Sequence, residues 1–442
     1  MTTPTAPARP DAPVARPLGR NRAFGLLWLG EGVSVVGNAT TSTLLPLLAV
    51  TQLDAGPGWM GLIAAATWLP WLVIGLPAGA WVDRLAPRRV MIVANLVSAA
   101  ALGSLPVAFA LGVLTLGHIV AAGLVGGTCT VFFRTAYQVF LPEVVPADQL
   151  ESANARLFGT ESAANVAGPG LGGLLAQWVT AAAGIALDAV TFLWSAVCLW
   201  RIRLPRPAPA PDRVVEPLLA RIREGVDLVR RDRYIPWFVG IGGLSNFGLT
   251  GYGALVVLFL VRDLHLTEAG VGAVLAVAGV GGVVGAVVAP YLSRRLGSGR
   301  ASTVLLLLCG PVALLVGAGR PGWGVLVTAA GGFLTGLFVV AGNVVRNAWR
   351  LRYVPAGLRG RVMTVMQVVN FGTMPVAGIV AGWLGGELGV RETILVMAAI
   401  HCLASTSILL SPLARLRELP PGPLGAPAAP RRTREQLRYR ER

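Results

Sequence analysis

The stretch Gly79-Ala80-Trp81-Val82-Asp83-Arg84-Leu85-Ala86-Pro87-Arg88-Arg89 sets one acid and three arginines between two long apolar runs. The charges cannot lie in hydrocarbon and the flanking runs cannot lie in water, so the stretch reads as a turn at a membrane face. Its spacing returns as Gly285-Ala286-Val287-Val288-Ala289-Pro290-Tyr291-Leu292-Ser293-Arg294-Arg295, 206 residues later, with Ala289 and Pro290 in place of Asp83 and Arg84. Other anchors recur at nearly the same interval: Asn38 with Asn246 (208), Val145-Pro146-Ala147 with Val354-Pro355-Ala356 (209), and Pro169 and Gly172 with Pro375 and Gly378 (206). The chain reads as one half-molecule used twice.

Composition agrees with a membrane setting. Of 442 residues, 54% are hydrophobic and 13% charged, against about 25% charged in an ordinary soluble domain, and mean hydropathy is +0.67. The formal charge of +16 sits mainly in arginines between apolar runs, where it fixes membrane orientation and does not indicate nucleic acid. None of the 37 basic residues is lysine, which excludes a Walker phosphate loop. Cys129, Cys198, Cys309 and Cys402 fall inside apolar runs with no close pair, and His118, His265 and His401 are too scattered for metal-ligand spacing. No cofactor and no metal are expected.

Runs of about 20 apolar residues predict twelve spans at approximately 23–51, 58–81, 90–110, 116–140, 155–178, 182–201, 235–261, 269–292, 302–319, 323–346, 362–386 and 392–412. The predicted organisation is a Pro-rich disordered tail over 1–22, a six-helix bundle over 23–203, a linker over 204–234, a second six-helix bundle over 235–412 and a basic tail over 413–442. The first span is too long for a signal peptide and reads as an uncleaved membrane helix. Within the linker, Leu218, Ile222, Val226 and Val229 share a stripe, predicting an amphipathic helix against the inner leaflet or the bundle. The turns after spans two, eight and ten carry clusters of arginine and those after spans one, three and five carry none, so both termini are expected in the cytoplasm, in the cell (inner) membrane.

Twelve spans in two similar halves, a long central loop and Gly79-x-x-x-Asp83-Arg84 together resemble the major facilitator superfamily, over about residues 20–412. Gly168-Pro169-Gly170-Leu171-Gly172-Gly173 in span five looks like that family's antiporter motif, typical of exporters. The stretches 187–192, 223–232 and 354–361 are similar to the branch holding the enterobactin exporter and macrolide efflux proteins. Many relatives in that branch carry Gly-Asp where this chain has Gly37-Asn38, so one protonatable group is missing. The resemblance implies an all-α membrane protein with the major facilitator fold. It also implies that Gly79, Asp83, Arg84, Arg88 and Arg89 form a conformational latch, with Gly79 permitting close approach of span eleven.

A charge at the middle of a membrane helix costs about 2.5–3.5 kcal/mol on insertion scales and should be paired or functional. Glu31, Glu161 and Asp188 are therefore the proton-coupling candidates. Glu31, Ser34, Asn38 and Thr41 share one stripe of the first helix, leaving Glu31 either lining a cavity or hydrogen-bonded to a neighbouring span. Glu161 shares a face with Asn165, Gly168 and Gly172, which reads as a packed seam with one paired carboxylate, and Asp188, near the outer end of span six, is read the same way. With the path between the halves that the resemblance implies, the cavity candidates are Asn38, Trp68, Trp71, Tyr137, Asn246, Tyr252 and Asn343. Arg134 and Arg346, near inner ends of their spans, are read as anchors snorkelling to the interface.

The expected function is secondary active, proton-coupled efflux of drugs, siderophores or other bulky amphipathic compounds by a monomer in the lipid bilayer. An importer or facilitator with the same fold is the alternative. A membrane enzyme or a receptor would need a clustered reactive site or an appended soluble domain, and the sequence has neither. No nucleic-acid partner is expected.

Overall fold

The computed structural model describes residues 18, 21–82, 84–203, 218–420 and 422. Asp83, the greater part of both tails and the Pro-rich start of the linker lie outside the described residues. Those described build fourteen α-helices and no strand: α1 (Arg22–Gln52), α2 (Pro57–Val73), α3 (Gly75–Val82), α4 (Pro87–Ala110), α5 (Leu116–Val144), α6 (Leu150–Trp178), α7 (Ala181–Arg201), α8 (Leu218–Arg231), α9 (Ile235–Arg262), α10 (Glu268–Leu296), α11 (Ser298–Ala318), α12 (Val325–Tyr353), α13 (Ala356–Glu387) and α14 (Val390–Thr406). With α8 set aside as the linker helix and α2 and α3 taken as one interrupted rod, twelve rods remain.

Ten helices are long and apolar enough to cross a membrane by length and composition. The other rods have identifiable reasons for falling short. α2 ends at Val73 because Pro77 has no N–H to give the Val73 carbonyl and its ring crowds that same carbonyl; the chain stays coiled through Ile74 N–H to Pro70 O (2.9 Å) and Ala78 N–H to Ile74 O (2.8 Å). α6 carries Glu151, Asn154, Arg156, Glu161 and Asn165, which lower its hydropathy without breaking its helix.

Several helices overrun the predicted spans. α6 begins at Leu150, α12 continues to Tyr353 and α13 begins at Ala356, so Arg350, Arg352, Arg359 and Arg361 lie on helices where the sequence predicted a turn. Arginine is a good helix former, and only Pro355 forces a break. The preceding Val354 takes φ −90°, ψ 120°, as a residue before proline must, and Pro355 follows at φ −54°, ψ 145°. Val145 and Pro146 do the same between α5 and α6, at φ −120°, ψ 129° and φ −56°, ψ 151°. The repeated Val-Pro-Ala is thus a repeated elbow.

The chain separates into two compact units. One contains α1 to α7 with residues 260–276, the other α8, the rest of α9 and the described residues from 277 onward. In the first, Phe24, Leu27, Met91 and Phe140 are almost fully buried in one cluster. Leu18 joins them, and Asn21 caps α1, accepting from the Phe24 N–H (3.1 Å) while donating to Val144 O (2.9 Å). Order therefore begins before residue 22, where the sequence predicted a tail, because this amide can satisfy both a helix start and a helix end.

In the second unit the linker helix lies on the bundle. Val229 is buried and Val226 packs beside it, while the side chains of Leu218 and Ile222 lie outside the described residues. Glu224 pairs with Arg361 of α13. Asp232 then caps α9, accepting from the Tyr234 and Ile235 N–H groups (2.8 Å each), and its other oxygen accepts from the Tyr353 hydroxyl (2.6 Å).

The predicted tail from residue 413 is likewise part of this unit as far as Pro420. Leu413 and Leu419 are buried, Arg417 O accepts from the Gly299 and Arg300 N–H groups, and Glu418 accepts from Ser298 N–H (3.2 Å) and Oγ (2.9 Å). These groups satisfy the first turn of α11, which no earlier residue caps. Ending the chain after Pro412 should therefore cost about 3–6 kcal/mol, the burial of two leucines, read as a clear fall in the thermal midpoint of the purified protein; an unchanged midpoint would return this segment to a free tail.

Candidate functional site

In the first unit the stripe on α1 meets polar groups from α4 and α5. Glu31, Ser34 and Asn38 line a chamber of about 50 Å³ with Asn95, Ser98, Thr130 and Arg134. Asn38, Ser98 and Thr130 also line a neighbouring chamber of about 220 Å³, whose further wall holds Thr41, Trp68 and Trp71. The cavity candidates Asn38, Trp68 and Trp71 are therefore brought together. Tyr137 is not among them: its ring stacks on Phe133 at 6.4 Å and packs against the core.

Arg134 does not snorkel. Its guanidinium holds Glu161 of α6 through both carboxylate oxygens, at 2.5 and 3.4 Å, a fork-on-fork arrangement stronger than a neutral hydrogen bond. A guanidinium with a carboxylate in reach has a partner other than the interface. Glu161 is thus a paired carboxylate, while Glu31 shares the small chamber with Arg134.

Asp188 lies two turns into α7 and is 1% exposed. Its Oδ1 accepts from the Thr191 hydroxyl (2.9 Å), and Oδ2 is buried with no close hydrogen-bond donor among the described residues. The carboxylate sits where a Cβ on Gly37 would be, so this glycine of α1 makes room for an acid from α7. Asp188 also borders an apolar groove of about 660 Å³ walled by Trp28, Val36, Leu171 and Leu187.

The glycines of α6 set its distance from α1. A Cβ on Gly168 would stand 2.7 Å from the Ala39 carbonyl carbon, and one on Gly172 2.8 Å from Thr40 O. Gly173 faces the other way, against the backbone of Glu268 and Gly272, and the Pro169 carbonyl lies against Gly272 too. Of the latch residues, Gly79 has open space where a Cβ would be. Arg88 donates to the carbonyls of Leu199 (2.7 Å) and Trp200, closing the end of α7. Arg84 and Arg89 make turn bonds from their backbone N–H groups to Trp81 O and Ala86 O. Asp83 lies outside the described residues.

The second unit has its own polar cavity, about 250 Å³, which brings Asn246 of α9 together with Asn343 of α12 but leaves Tyr252 out. Its other walls carry Arg346, Asn347, Arg350, Asn370 and His401. Arg346 does not reach for the interface either. Its guanidinium folds back over Gly342, where a Cβ would lie 2.7 Å from Nη1, and Nη2 donates to Asn343 Oδ1 (2.9 Å). His401 is held at both ring nitrogens, by Ser245 Oγ (2.8 Å) and Cys309 Sγ (3.2 Å), a satisfied core histidine. Asn343, Arg346, Asn347 and Arg350 follow a three-then-four spacing that marks one helical face; this signal was present in the sequence but masked by reading each arginine as an orientation anchor. Among the described residues no group of three His, Cys, Asp or Glu could hold a metal.

Long apolar rods enclosing small polar chambers define a multi-pass membrane transporter, and comparison with known proteins says which kind. The model of the Major Facilitator Superfamily matches residues 27–329 and again 244–441, so the chain belongs to that family. It is 31% identical over 412 residues to the multidrug efflux pump Tap of Mycolicibacterium fortuitum, covering 87% of this chain and 93% of the relative. It is 21% identical to macrolide efflux protein A of Streptococcus pyogenes, covering 89% and 97%. In fold it is similar to the nucleoside transporter NupG (TM-score 0.69, 12% identity, covering 89% of this chain and 99% of that one) and to a bacterial homologue of the iron transporter ferroportin (0.67, 16%, 88% and 100%).

Because α6 meets α1 backbone on backbone at Ala39 and Thr40, Gly168→Ala should overpack the seam at a cost of about 1–3 kcal/mol. Gly159→Ala on the same helix, where a Cβ meets nothing within 4 Å, should hold or slightly raise the thermal midpoint. Equal midpoints for the two variants would show that α1 and α6 are not held at this distance.

Proposed function

We propose that this transporter exports bulky amphipathic small molecules from the cytoplasm in exchange for protons, as a monomer in the inner membrane with both termini inside, by alternating access. Export is supported by the names of its relatives, a multidrug efflux pump and a macrolide efflux protein, and by the Gly168-Pro169 motif. The Trp68 and Trp71 wall beside Asn38 and Thr41 suits a ligand with large apolar faces and few polar groups.

The observation that carries the coupling is the meeting of two carboxylates with one guanidinium. Arg134 is engaged bidentately by Glu161, so Glu31, in the same chamber, is the acid left without a counter-charge of its own. With all three groups ionised the cluster carries one net negative charge, and one proton on Glu31 neutralises it. A proton arriving at Glu31 thereby removes the net charge of the cluster. Asp188, held by the Thr191 hydroxyl of its own helix and facing the Thr41 hydroxyl of α1, is a second place where a proton can reside.

Glu31→Gln mimics the protonated acid permanently. In proteoliposomes with an imposed proton gradient, this variant should bind substrate yet lose about tenfold or more of gradient-driven efflux, while substrate no longer releases protons. Coupling equal to the wild type would remove Glu31 from the mechanism.

A further inference from the structure

The cavity of the second unit has the opposite charge to that of the first. Arg346 and Arg350 both line it, no Asp or Glu does, and neither arginine takes part in an ion pair among the described residues. Their present partners are weak acceptors. Arg346 reaches the Asn343 amide oxygen, and Arg350 reaches the Asn347 amide oxygen and the Met366 sulfur. Arg346 Nη1 and Arg350 Nε are buried with no acceptor among the described residues. Two guanidinium charges and two unused donors around one void are costly unless something negative occupies it.

The internal repeat shows that this is not a lost ion pair. The 209-residue interval between the two Val-Pro-Ala elbows carries Arg134 onto Asn343. Glu161 falls on Asn370 by the same interval and on Gln367 by that of Pro169 and Pro375. In either register the second half has amides where the first has its Arg–Glu pair, and its own arginines come one and two turns further along α12. The second half thus has Arg346 and Arg350 at new positions, with no acid to meet them among the described residues.

We propose that this cavity is an oxyanion site, in which Arg346 and Arg350 hold a carboxylate or phosphate group of a small molecule beside the amides of Asn246 and Asn370. Paired guanidinium forks match the geometry of such groups. At about 250 Å³ the void is below the roughly 300–1,000 Å³ of pockets that enclose a whole drug-sized ligand, so it takes the anionic end of a compound and not its bulk. The proposal stands on the cavity alone and holds whichever way the protein transports.

The test is binding to the purified full-length protein in neutral detergent and chloride-free buffer, with benzoate, inorganic phosphate and short-chain phosphatidylglycerol as probes. Saturable binding of benzoate or phosphate, weakened about tenfold or more by Arg346→Gln and by Arg350→Gln, is the expected result. A second readout needs no variant: benzoate should protect Arg346 and Arg350 of the wild type from phenylglyoxal, measured peptide by peptide. No saturable binding of benzoate or phosphate, binding unchanged in both variants, or absence of protection would overturn the site. Binding of phosphatidylglycerol alone would also overturn it, assigning the cavity to a lipid headgroup. Because binding is read without transport, failure here leaves the efflux reading standing, and failure of efflux leaves this site standing.

Discussion

Hydrocarbon offers no hydrogen bonds, and every feature of this chain follows from meeting that condition. Backbone groups must be satisfied within each segment, so the apolar runs become helices. Charged side chains inside the bundles must find partners there or be kept for a task. Arg134 and Glu161 meet the first demand through two hydrogen bonds. Glu31, Asp188, Arg346 and Arg350 meet it only in part, and the chemistry of the molecule is concentrated on them.

The same medium sets how the rods adhere. Lipid tails are as apolar as leucine, so helices gain little by hiding apolar faces from them and must gain by fitting closely. α1 is the clearest case, receiving α6 at Gly168 and Gly172 and receiving a carboxylate of α7 at Gly37. The first helix is thus clamped on two sides while its polar stripe remains turned to the chambers. Holding that stripe at fixed distance from Arg134 is what gives Glu31 a defined electrostatic setting.

Fold class, repeat and helix number were legible because each rests on a long-range average: twenty apolar residues, or an interval near 206–209. What rests on one contact was not. Whether Arg134 reaches water or Glu161 depends on the rotation of α5 against α6, which hydropathy does not record. Arg346 was misread for a related reason, since a helix that continues to Tyr353 places it well inside the rod and away from the end. Order at Leu18 and from Leu413 to Pro420 was hidden by composition: surrounding proline and arginine signal a tail, yet a few leucines, one asparagine and one glutamate suffice to dock it. The stripe of Glu31, Ser34 and Asn38 was readable because helical periodicity alone puts those residues on one side.

The strap formed by α8 has a mechanical meaning. Glu224 grips Arg361 while Asp232 closes both the start of α9 and the Tyr353 hydroxyl at the Val354-Pro355 elbow. A displacement of α8 is therefore felt at the elbow between α12 and α13 as well as at the first turn of α9. The described part of the linker is thus moored at two points to the corner between α12 and α13, within the second unit.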